Sequence, residues 1–277
     1  MERATSQHTM VGAMIRRWRT THGLSQMELA LAAGVSTRHL SFLETGKAGP
    51  SREMLRALGT VLNAPLRERN AAFQAAGFAA EYHETPLDAP RMAEFRQALV
   101  LLLRQQEPFG AVVFDRRWDV VMVNEAYARF VAMLTGRVLV PYEVLPPPRV
   151  NGLVQILDPD GFRPHIANWG EVARAVIDRA RAEMAADRDE GRRLLRASLL
   201  ALPDIAALWN APPAPSGAAL VVPVELRVGD QIARLLTTIA TLGTAQDVTL
   251  QELRIESFHP ADAATADLAR GLAAMGG

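Results

Sequence analysis

The sequence predicts two domains of different class, an all-α domain at the N-terminus and an α+β domain with a five-stranded antiparallel sheet after it. Three observations predict this. Over residues 8–80, apolar residues recur at helical spacing and are punctuated by glycine and capping residues. From residue 107 the texture changes to short β-branched runs separated by turn residues. Charge divides between the two parts. Residues 1–80 carry ten Arg and Lys against five Asp and Glu, a net of +5; since the chain has 30 of each, the remainder carries −5. A basic module joined to an acidic one is the implied arrangement, and only the first suits a polyanion.

The helical elements follow in order. Val11, Met14, Ile15, Trp18 and His22 share one helical face, so a first helix is expected over about 10–22, stopped by Gly23. Ser25 with Glu28 three residues on is a capping box, opening a second helix that ends near Ala33 and Gly34. Ser36 caps a third helix to about Glu44. Ser51 starts a fourth, to Leu62, and a fifth follows Pro65 to about Ala76. The stretch YHETPLDAPR (82–91) has two prolines and no apolar period, which marks a linker, and a helix is expected at 91–106.

The second domain opens with GAVVFDRRWDVVMVNEAYARF, which reads as strand, tight turn at Asp115–Arg117, strand and helix. Residues 144–169 read as irregular, with a turn at Asp158–Gly161. Two helices are expected near 170–187 and 189–201, then a loop at 212–217. Strands are expected at 220–228, 233–242 and 250–259, the first two joined at Gly229–Asp230. Glu252, Arg254 and Glu256 alternate along the last of these, as on a solvated face. The boundaries are 8–80 for the helical domain, 81–106 for the linker and connecting helix, 107–262 for the α+β domain, and 263–277 for a C-terminal helix or tail.

The second and third helices form a helix-turn-helix. Leu29, Ala30 and Ala33 face inward from the first of the pair, Gly34 permits the tight turn, and Val35 plugs the space beneath it. Leu40 and Leu43 define the buried side of the second. At about 100° per residue, Arg38, Ser41, Phe42 and Thr45 then point away, with Thr37 at the flank. A second helix so presented is shaped to enter the major groove of DNA. Arginine can pair with guanine through two hydrogen bonds, threonine can bond several bases, and Phe42 can pack on a thymine methyl.

At Leu24, Gln26, Glu28–Leu29–Ala30, Gly34–Val35–Ser36, Leu40, Leu43–Glu44 and Gly46–Lys47 the chain resembles the Cro/phage-repressor (Xre) helix-turn-helix family, whose helical domain is lambda-repressor-like. The resemblance implies that Gln26 holds a phosphate, that Thr37, Arg38 and Phe42 face bases, and that Arg19 pairs with Glu44. Ser36, His39, Ser41 and Lys47 complete the expected DNA-facing set. Phe42 departs from the usual polar residue. Further stretches, among them ETPLDAP, NWGEVARAVI, LPDIAALW and GTAQDVTLQELRIESFHPAD, are similar to Xre-type regulators carrying an MmyB-like, PAS-like ligand-binding domain.

That resemblance implies a transcriptional regulator, more simply a repressor, which binds double-stranded operator DNA and senses a small molecule. The N-terminal stretch MERATSQHTM has no apolar signal core, so a cytoplasmic protein is expected. One recognition helix covers only a few base pairs, so a homodimer is expected. Phe114, Asn124, Tyr127, Phe130, Trp169, Thr237 and Thr241 are the candidate ligand residues, joined more broadly by Trp118, Trp209 and Phe258. The lack of clustered charge among them favours an apolar or lipid-like ligand.

Enzyme chemistry finds little support. There are no cysteines, which excludes disulfides and thiolate chemistry. The six histidines have no metal-ligand spacing, and no nucleophile elbow, P-loop or dinucleotide fingerprint occurs. No haem or flavin signature is present, no cofactor or catalytic residue is assigned, and no apolar run is long enough to cross a membrane. Two other classes stay open: an enzyme with an appended DNA-binding domain, and a scaffold whose helical domain binds protein.

Overall fold

The computed structural model describes residues 2–184, 190–212 and 221–275. The chain forms two compact units: residues 1–85 together with 243–251, and residues 86–242 together with 252–277. The short segment 243–251, which lies within the C-terminal domain in sequence, thus belongs with the helical unit.

The helical unit holds α1 (Glu2–Thr21), α2 (Gln26–Ala32), α3 (Thr37–Glu44), α4 (Arg52–Val61) and α5 (Leu66–Ala75). Local chemistry sets their starts. The Glu28 amide donates to Ser25 Oγ at 3.2 Å while the Ser25 amide donates to the Glu28 carboxylate at 2.7 Å, closing the capping box. Ser36 and Ser51 cap α3 and α4 in the same way, through the amides of His39 and Met54. The core is Val11, Ile15, Trp18, Leu29, Leu40, Leu43, Leu55, Leu58, Leu62 and Phe73, all buried. α1 begins at Glu2, eight residues before the expected start at 10, since nothing in residues 2–9 breaks a helix. Gly12 lets α1 approach α3: a Cβ there would lie 2.3 Å from the Leu43 carbonyl oxygen.

The second unit contains α6 (Ala93–Gln105), β1 (Ala111–Phe114), β2 (Val120–Val123), α7 (Glu125–Thr135), α8 (Gly152–Leu157), α9 (Trp169–Met184), α10 (Glu190–Leu200) and α11 (Ile205–Asn210). It continues with β3 (Val224–Val228), β4 (Gln231–Thr241), β5 (Arg254–Pro260) and α13 (Ala263–Met275). A further short helix, α12 (Val248–Glu252), lies between β4 and β5. The five strands form one antiparallel sheet in the order β2-β1-β5-β4-β3. Alternation puts Val112, Phe114, Leu226, Ala233, Leu235, Glu256 and Phe258 on one face. The helices of the middle stretch build the main core with several of these side chains.

Three sequence expectations need correction. Residues 144–169 are not wholly irregular: Asn151 caps α8 by accepting from the amides of Leu153 and Val154. The stretch 250–253 is not strand but the end of α12 and its exit, and the last strand starts at Arg254. Residues 221–223 precede β3, where Pro223 has no amide to donate to a ladder. Most of the expected 212–217 loop, and the ends of the 170–187 and 189–201 helices that face each other, fall outside the described residues. The expected C-terminal helix is present as α13.

Candidate DNA-binding surface and ligand cavity

The outward face of α3 is held in place from behind. Leu40 and Leu43 are fully buried. Arg19 donates from Nε and Nη2 to the two oxygens of Glu44, at 2.6 and 2.9 Å, and from Nη1 to the Leu24 carbonyl at 2.7 Å. The pair is enclosed, with the Glu44 side chain 2% exposed and that of Arg19 12%. Burial alone would push the Glu44 carboxyl up, but the hydrogen bonds from Arg19 and Gln26 hold it below the usual carboxylate range. The same partnership raises Arg19. The Gln26 amide donates to Glu44 at 2.8 Å, so the start of α2, the end of α3 and the last turn of α1 meet on one carboxylate.

On the other side of α3, Thr37 and Arg38 are exposed, and His39, Ser41 and Phe42 are half-buried. Arg38 lies over the Phe42 ring at 5.5 Å and the exposed Lys47 lies over it at 5.9 Å. The ring therefore meets two cations. Lys47 is further fixed by its amide, which donates to the Phe42 carbonyl at 2.9 Å. Ser36 is exposed, and its oxygen is taken by the helix cap. All eight expected DNA-facing residues lie in this one unit, at the α2 and α3 starts, along the α3 face and just beyond its end.

The second unit holds a partly open cavity of about 220 Å³. Its walls are the β3–β5 face (Leu226, Ala233, Leu235, Phe258), α7 (Tyr127, Phe130, Met133) and α13 (Leu268, Ala269, Leu272). The lining is almost entirely apolar. Among the described residues Arg129 is its one ionisable cation, and it lies 3.5 and 3.7 Å from the carboxylates of Glu125 and Glu107. Thr265 docks α13 on the sheet, its hydroxyl oxygen accepting from the Arg234 amide at 2.9 Å. The Tyr127 hydroxyl is pushed well above its ordinary range, first by burial and then by the nearby Glu256.

Comparison with known proteins fits this division. The model of the MmyB-like transcription regulator ligand binding domain matches residues 95–272, well over half the chain. The chain belongs to the MmyB-like transcription regulators. A helix-turn-helix domain model matches residues 11–72 of this MmyB-like regulator, which joins a DNA-binding domain to a ligand-binding one. A search of curated proteins finds no match. Among solved structures, the clp gene regulator ClgR from C. glutamicum is 31% identical over 26% of this chain and 88% of its own, with a TM-score of 0.23. An RNA-binding Light-Oxygen-Voltage receptor is 14% identical over 95% of this chain and 61% of its own, with a TM-score of 0.25. Neither superposition is close.

In this MmyB-like regulator, two of the seven expected ligand residues, Tyr127 and Phe130, line the cavity. The other five do not. Asn124 is fully buried and structural: its Oδ1 accepts from the amides of Ala111 and Tyr127, capping α7, and its Nδ2 donates to the carbonyls of Leu103 and Phe109. Phe114 packs on Trp118 in the core. Trp169 donates from its ring to the Ile156 carbonyl and lies under Arg163. Thr241 is exposed at the end of β4, and Thr237 is inner-facing beside Glu256 but does not line the cavity. Sequence reading missed the contribution of α13. The leucine and alanine spacing at 268, 269 and 272 was its available signal.

The expected solvated face on the last strand is also corrected. Arg254 donates to Glu183 at 2.8 Å, and Glu183 also takes the Trp118 ring N–H and Arg179. Both guanidinium groups lie over the Trp118 ring, at 4.8 and 4.5 Å. Glu256, two residues along, has no ion-pair partner among the described residues, and burial pushes its carboxyl up.

Proposed function

We propose that this regulator is a sequence-specific DNA-binding homodimer, a repressor, controlled by a small apolar or lipid-like ligand in the 220 Å³ cavity. The observation that carries the DNA reading is the surface of exposed Thr37, Arg38 and Lys47 around half-buried Phe42, on a helix clamped from behind by an enclosed ion pair. On this reading Arg38, which lies over Phe42, reads a guanine edge, and Gln26 and Lys47 contact phosphates. The cavity supports the ligand reading: it is apolar on three sides, with Arg129 in its lining. Among the described residues no three metal-ligating side chains gather, and a regulator is favoured over an enzyme because no catalytic cluster stands in the cavity.

The test is selection of duplexes from a random pool by the full-length protein, followed by affinity measurement against salt. A palindromic consensus with a steep salt dependence supports the reading. Uniform binding to all duplexes, or none, sinks it. Native mass spectrometry of the same preparation reads subunit number and any co-purified ligand.

A further inference from the structure

We infer that Gln251 and Asp247 are positioning residues through which the strands that wall the cavity act on the DNA-binding unit. The inference rests on the ligand reading above and assigns the route by which occupancy is felt.

β4 and β5 both wall the cavity, through Ala233, Leu235 and Phe258. They are paired as far as Thr241 and Arg254. Antiparallel neighbours can be joined by a turn of two to five residues. Here the chain instead leaves the sheet, and residues 243–251 become part of the helical unit before β5 begins. Closing the sheet does not require that detour.

Within the helical unit the segment supplies what the local sequence lacks. The N-cap of α5 is Pro65, which offers no side-chain acceptor to the first free amides of the helix. Gln251 supplies one: its Oε1 accepts from the Leu66 amide at 2.7 Å. Asp247 accepts from the Thr85 amide at 3.3 Å and from its hydroxyl at 2.5 Å, and the Val248 amide donates to the His83 carbonyl at 2.8 Å. From α5 the contacts run on toward the reading head. Glu68 takes the Trp18 ring N–H and Arg17 of α1, and the next residue, Arg19, clamps Glu44 of α3. Ligand-driven movement of the β4 and β5 ends therefore pulls on the start of α5, and α5 bears on the helix that orients α3.

The experiment uses the full chain and hydrogen exchange read at the Leu66 amide and across residues 243–251. The probe for occupancy is a filled cavity, Ala269→Phe, with Leu235→Trp as the second variant should the first not fold. Filling is expected to change exchange at Leu66 several-fold. Gln251→Leu is expected to abolish that response, and Gln251→Glu to restore it, because a carboxylate still accepts the amide. A control free of cavity variants uses linkage. Duplex binding to the wild type is expected to alter exchange in β4 and β5, and Gln251→Leu to suppress the effect.

Operator affinity of filled and unfilled protein is compared in the same backgrounds. A coupling of about tenfold in the wild type is expected to fall toward unity in Gln251→Leu and return in Gln251→Glu. If filling changes exchange in β4 and β5 but leaves Leu66 and 243–251 untouched, or if Gln251→Leu and Gln251→Glu respond alike, the assignment is overturned. If Leu66 responds through Gln251 while operator affinity stays constant, the route stands and the ligand-control reading fails instead.

Discussion

Glu44 is the residue on which the helix-turn-helix converges, since one buried carboxylate takes both Arg19 and Gln26. Removing it by Glu44→Ala strands an enclosed guanidinium. We expect a loss of about 3–5 kcal/mol, read by chemical denaturation; wild-type stability would show that the pair contributes nothing net. Its pH dependence has a definite sign. The folded carboxyl titrates below its unfolded value, so its stabilisation is complete above about pH 4.5 and is lost as pH falls through the lower folded value. Glu44→Gln is expected to flatten that acid limb. Glu256 has the opposite sign: its folded carboxyl titrates above the ordinary value, so stability is lost as pH rises through it. Glu256→Gln is thus expected to raise the melting temperature at pH 8 and to leave it unchanged at pH 4, and equal shifts at both would show a packing effect alone. On the reading face, Arg38→Ala is expected to cost about 1–3 kcal/mol and to relax one position of the selected half-site. Phe42→Ala, which removes the ring beneath Arg38 and Lys47, is expected to weaken binding about fivefold and to blur that same position. A thymine position blurred instead would place the ring on a methyl group. The Arg19–Glu44 pair was legible because the family resemblance supplied it. Asn124 was misread as a ligand group although it directly precedes a helix, where an asparagine more simply caps.

At the scale of elements, the sequence was most readable where an element carried both a cap and an apolar stripe. Ser25, Ser36 and Ser51 placed three helices to within a residue or so. It was least readable for α8, α11 and α12, which span only 5 or 6 residues and cannot display a full helical period. In α12, where strand was expected from residue 250, Asp247 Oδ1 accepts the Thr249 amide at 2.9 Å and turns the chain into a helix. Helix crossings were not readable either, because a small residue on a helix shows no partner. Gly12 is the case in point. Gly12→Ala would drive a methyl into the Leu43 carbonyl, and backbone on both sides leaves little room to yield. We expect destabilisation of about 1–3 kcal/mol or more and a loss of operator affinity beyond it, since α3 must shift. An unchanged melting temperature would mean that α1 and α3 separate without cost.

At the scale of the whole molecule, one α3 covers only a few base pairs, too little to define a unique site, so two-fold pairing of chains is expected with half-sites about 10 bp apart or a multiple of that. A single-subunit species footprinting one short half-site would defeat this. Domain order and the succession of two strands, helices and three strands were legible, but not the spatial order of the strands, because a strand's own pattern does not name its neighbours. Membership of segment 243–251 was not, because no local pattern reveals that a loop folds with residues some 160–185 positions away. That membership makes the protein a natural split pair. Fragment 86–277 carries Asp247, Val248 and Gln251, the groups that grip residues 66–85, so a nick between Thr85 and Pro86 does not by itself release the helical unit. Residues 1–85 and 86–277, produced as separate polypeptides, are expected to find one another and restore operator binding. The first fragment alone, left without an acceptor at the start of α5, is expected to melt at a lower temperature than the reassembled pair.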